Sequence, residues 1–230
     1  MMECPVKTAG NIRFCATWAG QTIFSPLLVA GPTTCDHGSC LTNQFRKLKI
    51  CKFTSSNYRL MPKPSPTTYP EYFKRYVDQV PEEDLATAFS NQLPVIKNLL
   101  NSITEERSMY AYAPGKWTLK ELLQHMTDAE RIFNYRALCI ARKETVSLPG
   151  FDENTYAEHS NANLRTWQDL VDEFLVVRRS TEILYKSFTA EALEASGVSN
   201  NKPLTVNSLA FTTIGHFYHH KKVIEERYLS

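Results

Sequence analysis

Apolar residues recur three and four positions apart in four separate stretches of this chain, the spacing of one face of an α-helix. In the first, Leu85, Ala88, Phe89, Leu93, Ile96, Leu99, Leu100 and Ile103 predict a helix from about Glu82 to Ile103, with Pro94 inside it as a point of kinking or fraying. In the second, Thr118 and Glu121 form a capping-box pattern. Leu119, Leu122, Leu123, Met126, Ile132, Phe133, Ala137 and Ile140 then predict a long helix to about Lys143. Thr166 and Asp169 open the third, with Trp167, Leu170, Val171, Phe174, Val177, Thr181, Leu184 and Phe188 as its apolar side. In the fourth, Pro203 and Thr205 give a start signal, and Val206, Ala210, Thr213, Phe217, His220 and Ile224 follow at four, three, four, three, four.

Four amphipathic helices and no convincing strand predict an all-α fold, an antiparallel four-helix bundle around one core. The polar stretch Asn154 to Asn163 suits a long crossover running the height of the bundle after the second helix. Thr189 to Gly197 is a second connection, and Tyr110 to Trp117 is an aromatic loop ahead of the second helix.

Histidines change the picture. His216 and His220 lie four apart on the fourth helix, about 400° and about 6 Å of rise, so their rings point the same way. His219 falls instead with Thr212, Gly215 and Glu226 on a more polar face. Such a pair suits metal chelation, and equally suits hydrogen-bonded core residues. His125 sits on the inner face of the second helix, three after Leu122. If the second and fourth helices are neighbours, His125, His216 and His220 supply three nitrogen ligands for Zn²⁺ or Ni²⁺ and leave a position open for water or a substrate atom.

Composition splits the chain near Met61. Residues 1–60 carry seven Lys/Arg against two Asp/Glu and five of the six cysteines, and show no sustained period. The expected organisation is an extension over 1–60 without a stable fold of its own, then the bundle over 61–230. Cys35 to Cys40 with His37 has no second cluster to complete a zinc site. Ala16 to Gly31 is the stretch most like a secretory signal, but Gln21, Thr22, Ser25 and Pro26 interrupt it. A net charge of +2 argues against nucleic acid as the main partner, and no stretch is apolar enough to span a membrane. A cytoplasmic location is expected.

Several separated blocks, in order, resemble the DinB/YfiT-like metalloprotein superfamily. They are Pro114 to Glu121, Leu123 to Phe133, Tyr135 to Ala137, Leu148 to Glu153, Val177 to Thr181, Gly215 to His220 and Glu226 to Tyr228. The resemblance implies a helical bundle with the long crossover after the second helix, homodimers in many members, and metal ligands at the positions of His125, His216 and His220. It also implies transfer to and from a low-molecular-weight thiol as co-substrate, or isomerisation with a thiol cofactor; a divalent zinc or nickel ion on three histidines suits such thiol chemistry and equally suits hydrolysis. An acidic residue usually follows the first histidine of the final block in that family; here it is Phe217.

Weaker candidates remain. Asp128, three after His125, is either an acceptor for it or a surface charge. Glu130 and Arg136 are either catalytic or a structural ion pair. Tyr110 and Tyr112 either line the mouth of the site or pack at the bundle end. Arg178 and Arg179 either meet an anionic substrate or pair in solvent with Glu173 and Glu182. His159 has no visible partner, and Cys139 reads as a small core residue. The expected function is a metal-dependent enzyme, transferase or hydrolase, acting on a small molecule; the rival is a non-catalytic metal-binding bundle.

Overall fold

The computed structural model describes residues 61–230, so the expected extension, with Cys35, Cys40 and His37, lies outside the described residues. Four long helices carry the fold: α2 (Leu85–Asn101), α4 (Leu119–Ala141), α6 (Trp167–Lys186) and α8 (Val206–Val223). They are the four that the periodicity predicts. Helix α1 (Glu71–Val77) precedes them, and between them come α3 (Glu105–Ser108), α5 (Glu153–His159), α7 (Ala190–Glu194) and the strands β1 (Ser196–Ser199) and β2 (Lys202–Thr205). A π turn over Ile224–Tyr228 ends α8.

Each long helix starts where a side chain can accept from its exposed N–H groups. Asp84 caps α2 by accepting from the Thr87 N–H, and Thr166 caps α6 by accepting from that of Asp169. Thr118 with Glu121 and Thr205 with Ser208 form reciprocal capping boxes on α4 and α8. Such caps contribute about 1 kcal/mol each. Pro94 does not interrupt α2, which runs through it.

Direction follows from which ends meet. Arg165, just before α6, meets Lys120 and Gln124 near the start of α4, and Thr181 meets Asn134 further along both. Helices α4 and α6 therefore run in the same direction, which is what the crossover Arg142–Thr166 makes possible. Helix α2 runs against α6, since the Trp167 indole donates to the Leu100 carbonyl while Phe89 packs on Tyr185.

The interior is layered. One apolar cluster gathers Leu85, Phe89, Ala137, Ile140, Tyr185, Leu209 and Ile214; another gathers Ile96, Leu100, Leu122, Met126, Trp167, Phe174, Phe217 and Tyr228. Between them, at mid-height, each long helix contributes buried polar side chains: Gln92, His125 with Glu130, Arg178 with Thr181, and Thr213 with His216. Gln92 donates to the Ile214 carbonyl at 2.7 Å and accepts from Arg178 Nη1 at 2.8 Å, while Arg178 Nη2 lies 2.8 Å from Glu130 Oε2.

Two features were not expected from the sequence. Helix α1 packs along α8, so every residue from Val206 to Phe217 is buried and α8 has no solvent face over its first three turns. This contact requires Gly215, because a Cβ there would lie 2.0 Å from the Tyr76 carbonyl oxygen. The second connection is not all helix and loop. Strands β1 and β2 form an antiparallel hairpin around Asn200 and Asn201, whose φ of 49° and 58° suit a tight primed turn.

Candidate metal centre

Helix α4 presents His125 from its second turn, and α8 presents His216 and His220 from its last two. The two helices pack together, and the three rings meet between them. His125 Nε2 and His216 Nε2 are 3.2 Å apart, and His220 Nε2 and His216 Nε2 are 3.0 Å apart. One nitrogen from each ring lies within 4.8 Å of the other two.

Burial holds these rings neutral. It lowers the His125 imidazole to about 4, with His219 adding to the effect. Burial, then the neighbouring histidines, keeps His216 and His220 well below the ordinary range. A neutral imidazole has one bare nitrogen, and bare nitrogens facing one another repel unless a proton or a cation lies between them. Tetrahedral Zn–N bonds of about 2.0–2.1 Å would set ligand nitrogens roughly 3.3 Å apart. The spacing here is close to that, so the residues fit a divalent metal. His220 Nδ1 is buried with no hydrogen-bond partner among the described residues. Ring contacts fix the orientations instead: Trp117 lies 4.9 Å from His125 between centroids, and Tyr76 and Phe133 lie 5.3 and 5.7 Å from His216.

His219 turns away from the cluster. Its Nδ1 lies 3.4 Å from Gln79 Nε2, and its ring stands edge-on to Tyr76. The sequence reading set it on a polar face; in the fold α1 covers that face.

A cleft of about 940 Å³ opens from the cluster. Its walls include Phe73 and Tyr76 on α1, Ala129, Phe133 and Arg136 on α4, Phe151 in the crossover, and Asn200 and Lys202 on the hairpin. The elements that periodicity missed, α1 and the hairpin, thus supply much of the cleft wall. Pro70 ahead of Glu71, with Phe73, Tyr76 and Val77 at helical spacing, is the signal that marks α1.

The remaining candidates divide. Asp128 accepts from Gln124 at 2.9 Å and pairs with Arg131, so among the described residues its partners are on the helix surface and not in the histidine cluster. Glu130 does not pair with Arg136. Six residues turn a helix by about 600°, which places the two on different sides. Glu130 instead pairs with Arg178, each only 2 % exposed, so Arg178 is not the solvated residue expected. Burial raises the Glu130 carboxyl, and Arg178 opposes that. Arg179 does pair with Glu182, at 2.8 Å, whereas Glu173 pairs with Arg131 and Arg165. Tyr110 and Tyr112 pack on Tyr228 at the bundle end. Phe217 stacks on Phe174 in the core, 6.1 Å between centroids. His159 meets the Thr155 carbonyl on the surface. Cys139 is half-buried against the core.

Residues 88–224, more than half of the chain, match the family described as the DinB superfamily, and the chain belongs to it. A candidate metal-dependent hydrolase of Oceanobacillus iheyensis is 25% identical over 122 residues, covering 53% of this chain and 70% of that protein. Among solved structures, YfiT from Bacillus subtilis is described as a probable metal-dependent hydrolase with an unusual four-helix bundle topology. It superposes with a TM-score of 0.54 at 16% identity, over 71% of this chain and 90% of its own. No helix among the described residues is long and apolar enough to cross a membrane.

Proposed function

We propose that this chain is a metal-dependent hydrolase acting on a small-molecule substrate, with His125, His216 and His220 holding one zinc or nickel ion. The observation that carries the reading is the convergence of three imidazoles, two buried and one half-buried, beside a cleft large enough for a small ligand. The metal-dependent hydrolases named among the similar proteins support the same class. When bound, such a metal supplies a Lewis acid and a water acidified toward neutral pH.

The chain's own residues do the rest. Desolvation keeps the three rings unprotonated, so their lone pairs stay available. Trp117, Tyr76 and Phe133 hold two of the ring planes and keep bulk water from that side. His219, on the cleft wall, accepts from Gln79 at Nδ1, so its neutral ring carries the hydrogen on Nε2 and serves as a donor rather than a base. Transfer to a low-molecular-weight thiol would use the same open position, and substrate choice separates the two chemistries.

Purified protein loaded with zinc or nickel is expected to hold one metal per chain and to hydrolyse at least one class in a panel of esters, amides and thiol conjugates. His125→Ala, His216→Ala and His220→Ala should each abolish tight metal binding, while His219→Ala should retain it. Elemental analysis after gel filtration reads this directly. One metal per chain with no turnover of any class would leave a non-catalytic metal-binding bundle.

A further inference from the structure

Arg136 is the part of the cleft that the metal reading does not use. It lies eleven residues on from His125 in α4, about 16 Å of rise and within about 20° of the same direction. Ala129 and Phe133 fall between them on the same stripe, and all four line the cleft. The metal cluster and Arg136 therefore stand toward opposite ends of one apolar wall.

Arg136 is 6 % exposed, yet no carboxylate among the described residues comes within 4.0 Å of its nitrogens. One Nη2 hydrogen goes to the Pro149 carbonyl at 2.7 Å, and its guanidinium lies 5.9 Å from the centre of the Phe151 ring. Its other N–H groups find no acceptor among the described residues. A buried cation without a counter-charge is costly, and proteins keep one where a ligand supplies the missing anion. The rest of the lining leans the same way. Arg75, Arg136 and Lys202 line the cleft with Glu71 and Glu153, an excess of positive charge before any metal is counted. Aromatic rings from Phe73, Tyr76, Phe133 and Phe151 fill the distance to the histidines.

Resting on the metal-dependent reading above, we infer that Arg136 is the carboxylate anchor of the cleft, and that the substrate is an acid with an apolar or aromatic body. Its carboxylate sits on the guanidinium and its reacting group lies toward His125, His216 and His220. The planar fork suits a carboxylate in a two-point contact, which a lysine ammonium cannot reproduce.

The test compares charged and neutral probes of one shape. Benzoate, 3-phenylpropionate and 5-phenylvalerate, with their carboxamides, are titrated by calorimetry into wild-type, Arg136→Met and Arg136→Lys proteins, each with and without zinc. Wild type should bind at least one acid tenfold or more tightly than its amide. Arg136→Met should lose that preference while binding the amide as before, and Arg136→Lys should recover only part of it. Zinc content should stay at one per chain in both variants. Equal acid and amide binding by wild type, failure of wild type to bind any acid, or an undiminished preference in Arg136→Met would overturn the assignment. Lowered melting temperature with unchanged preference would make Arg136 a structural clip to Pro149. If wild type binds no zinc but still selects the acid through Arg136, the anchor stands and the metal reading fails.

Discussion

Glu130 and Arg178 each depend on the other being present. Both are 2 % exposed, and the pair is tied to Gln92 and Thr181. Removing one partner strands a charge in the interior, at a cost of about 3–5 kcal/mol. Arg178→Met is therefore expected to lower the denaturant midpoint sharply, and adding Glu130→Met should restore a large part of it. A loss in the single variant no greater than that of an exposed pair such as Lys221 and Glu225 would show the pair to be dispensable. The partnership was not legible in the sequence, because it joins residues 48 apart on two helices whose neighbourhood only the fold decides. The histidines were easier. His216 and His220 share a face by helical arithmetic alone, whereas His125 could be set on the inner face of its helix but joins them only because the fold makes the two helices neighbours.

At the scale of elements, the contact between α1 and α8 builds one wall of the cleft. Gly215→Ala places a methyl group against the Tyr76 carbonyl, where nothing flexible can yield. Overpacking of this kind costs about 1–3 kcal/mol. The variant should melt lower than wild type, and the ring of Tyr76 should shift against His216 and His219, observable as changed histidine NMR signals. An unaltered melting temperature and unaltered signals would mean that α1 does not sit on α8 as described. The four long helices were readable because each repeats its apolar period over several turns. Helix α1 has seven residues and shows its apolar spacing only once, after Pro70, and the hairpin strands have four residues each, too short for a period to repeat. Yet these short pieces hold Tyr76, Asn200 and Lys202, which face the cleft. The histidine cluster was thus written in long, regular segments, and much of the cleft wall beyond it in brief ones whose place depends on what they pack against.

Among the described residues, the two apolar clusters run from Met61 to Tyr228. A protein beginning at Met61 is accordingly expected to melt within about 3 °C of the full chain, equivalent to roughly 1 kcal/mol at this size. Its metal content should also be unchanged. Circular dichroism and elemental analysis of the two proteins decide it, and a shorter protein that does not fold would refute it.

The band of buried polar groups between the two apolar clusters has a consequence for alignment. Hydrocarbon surfaces can slide past one another at small cost, so a bundle glued only by leucines tolerates several ways of lining up its rods. Here Gln92, Glu130, Arg178 and His216 must all arrive at one level. Shifting any rod by a single turn, about 5.4 Å, would leave a charge or an imidazole facing leucine. The band works as a keyway that admits one longitudinal setting, and that setting is the one in which the histidines of α4 and α8 come together.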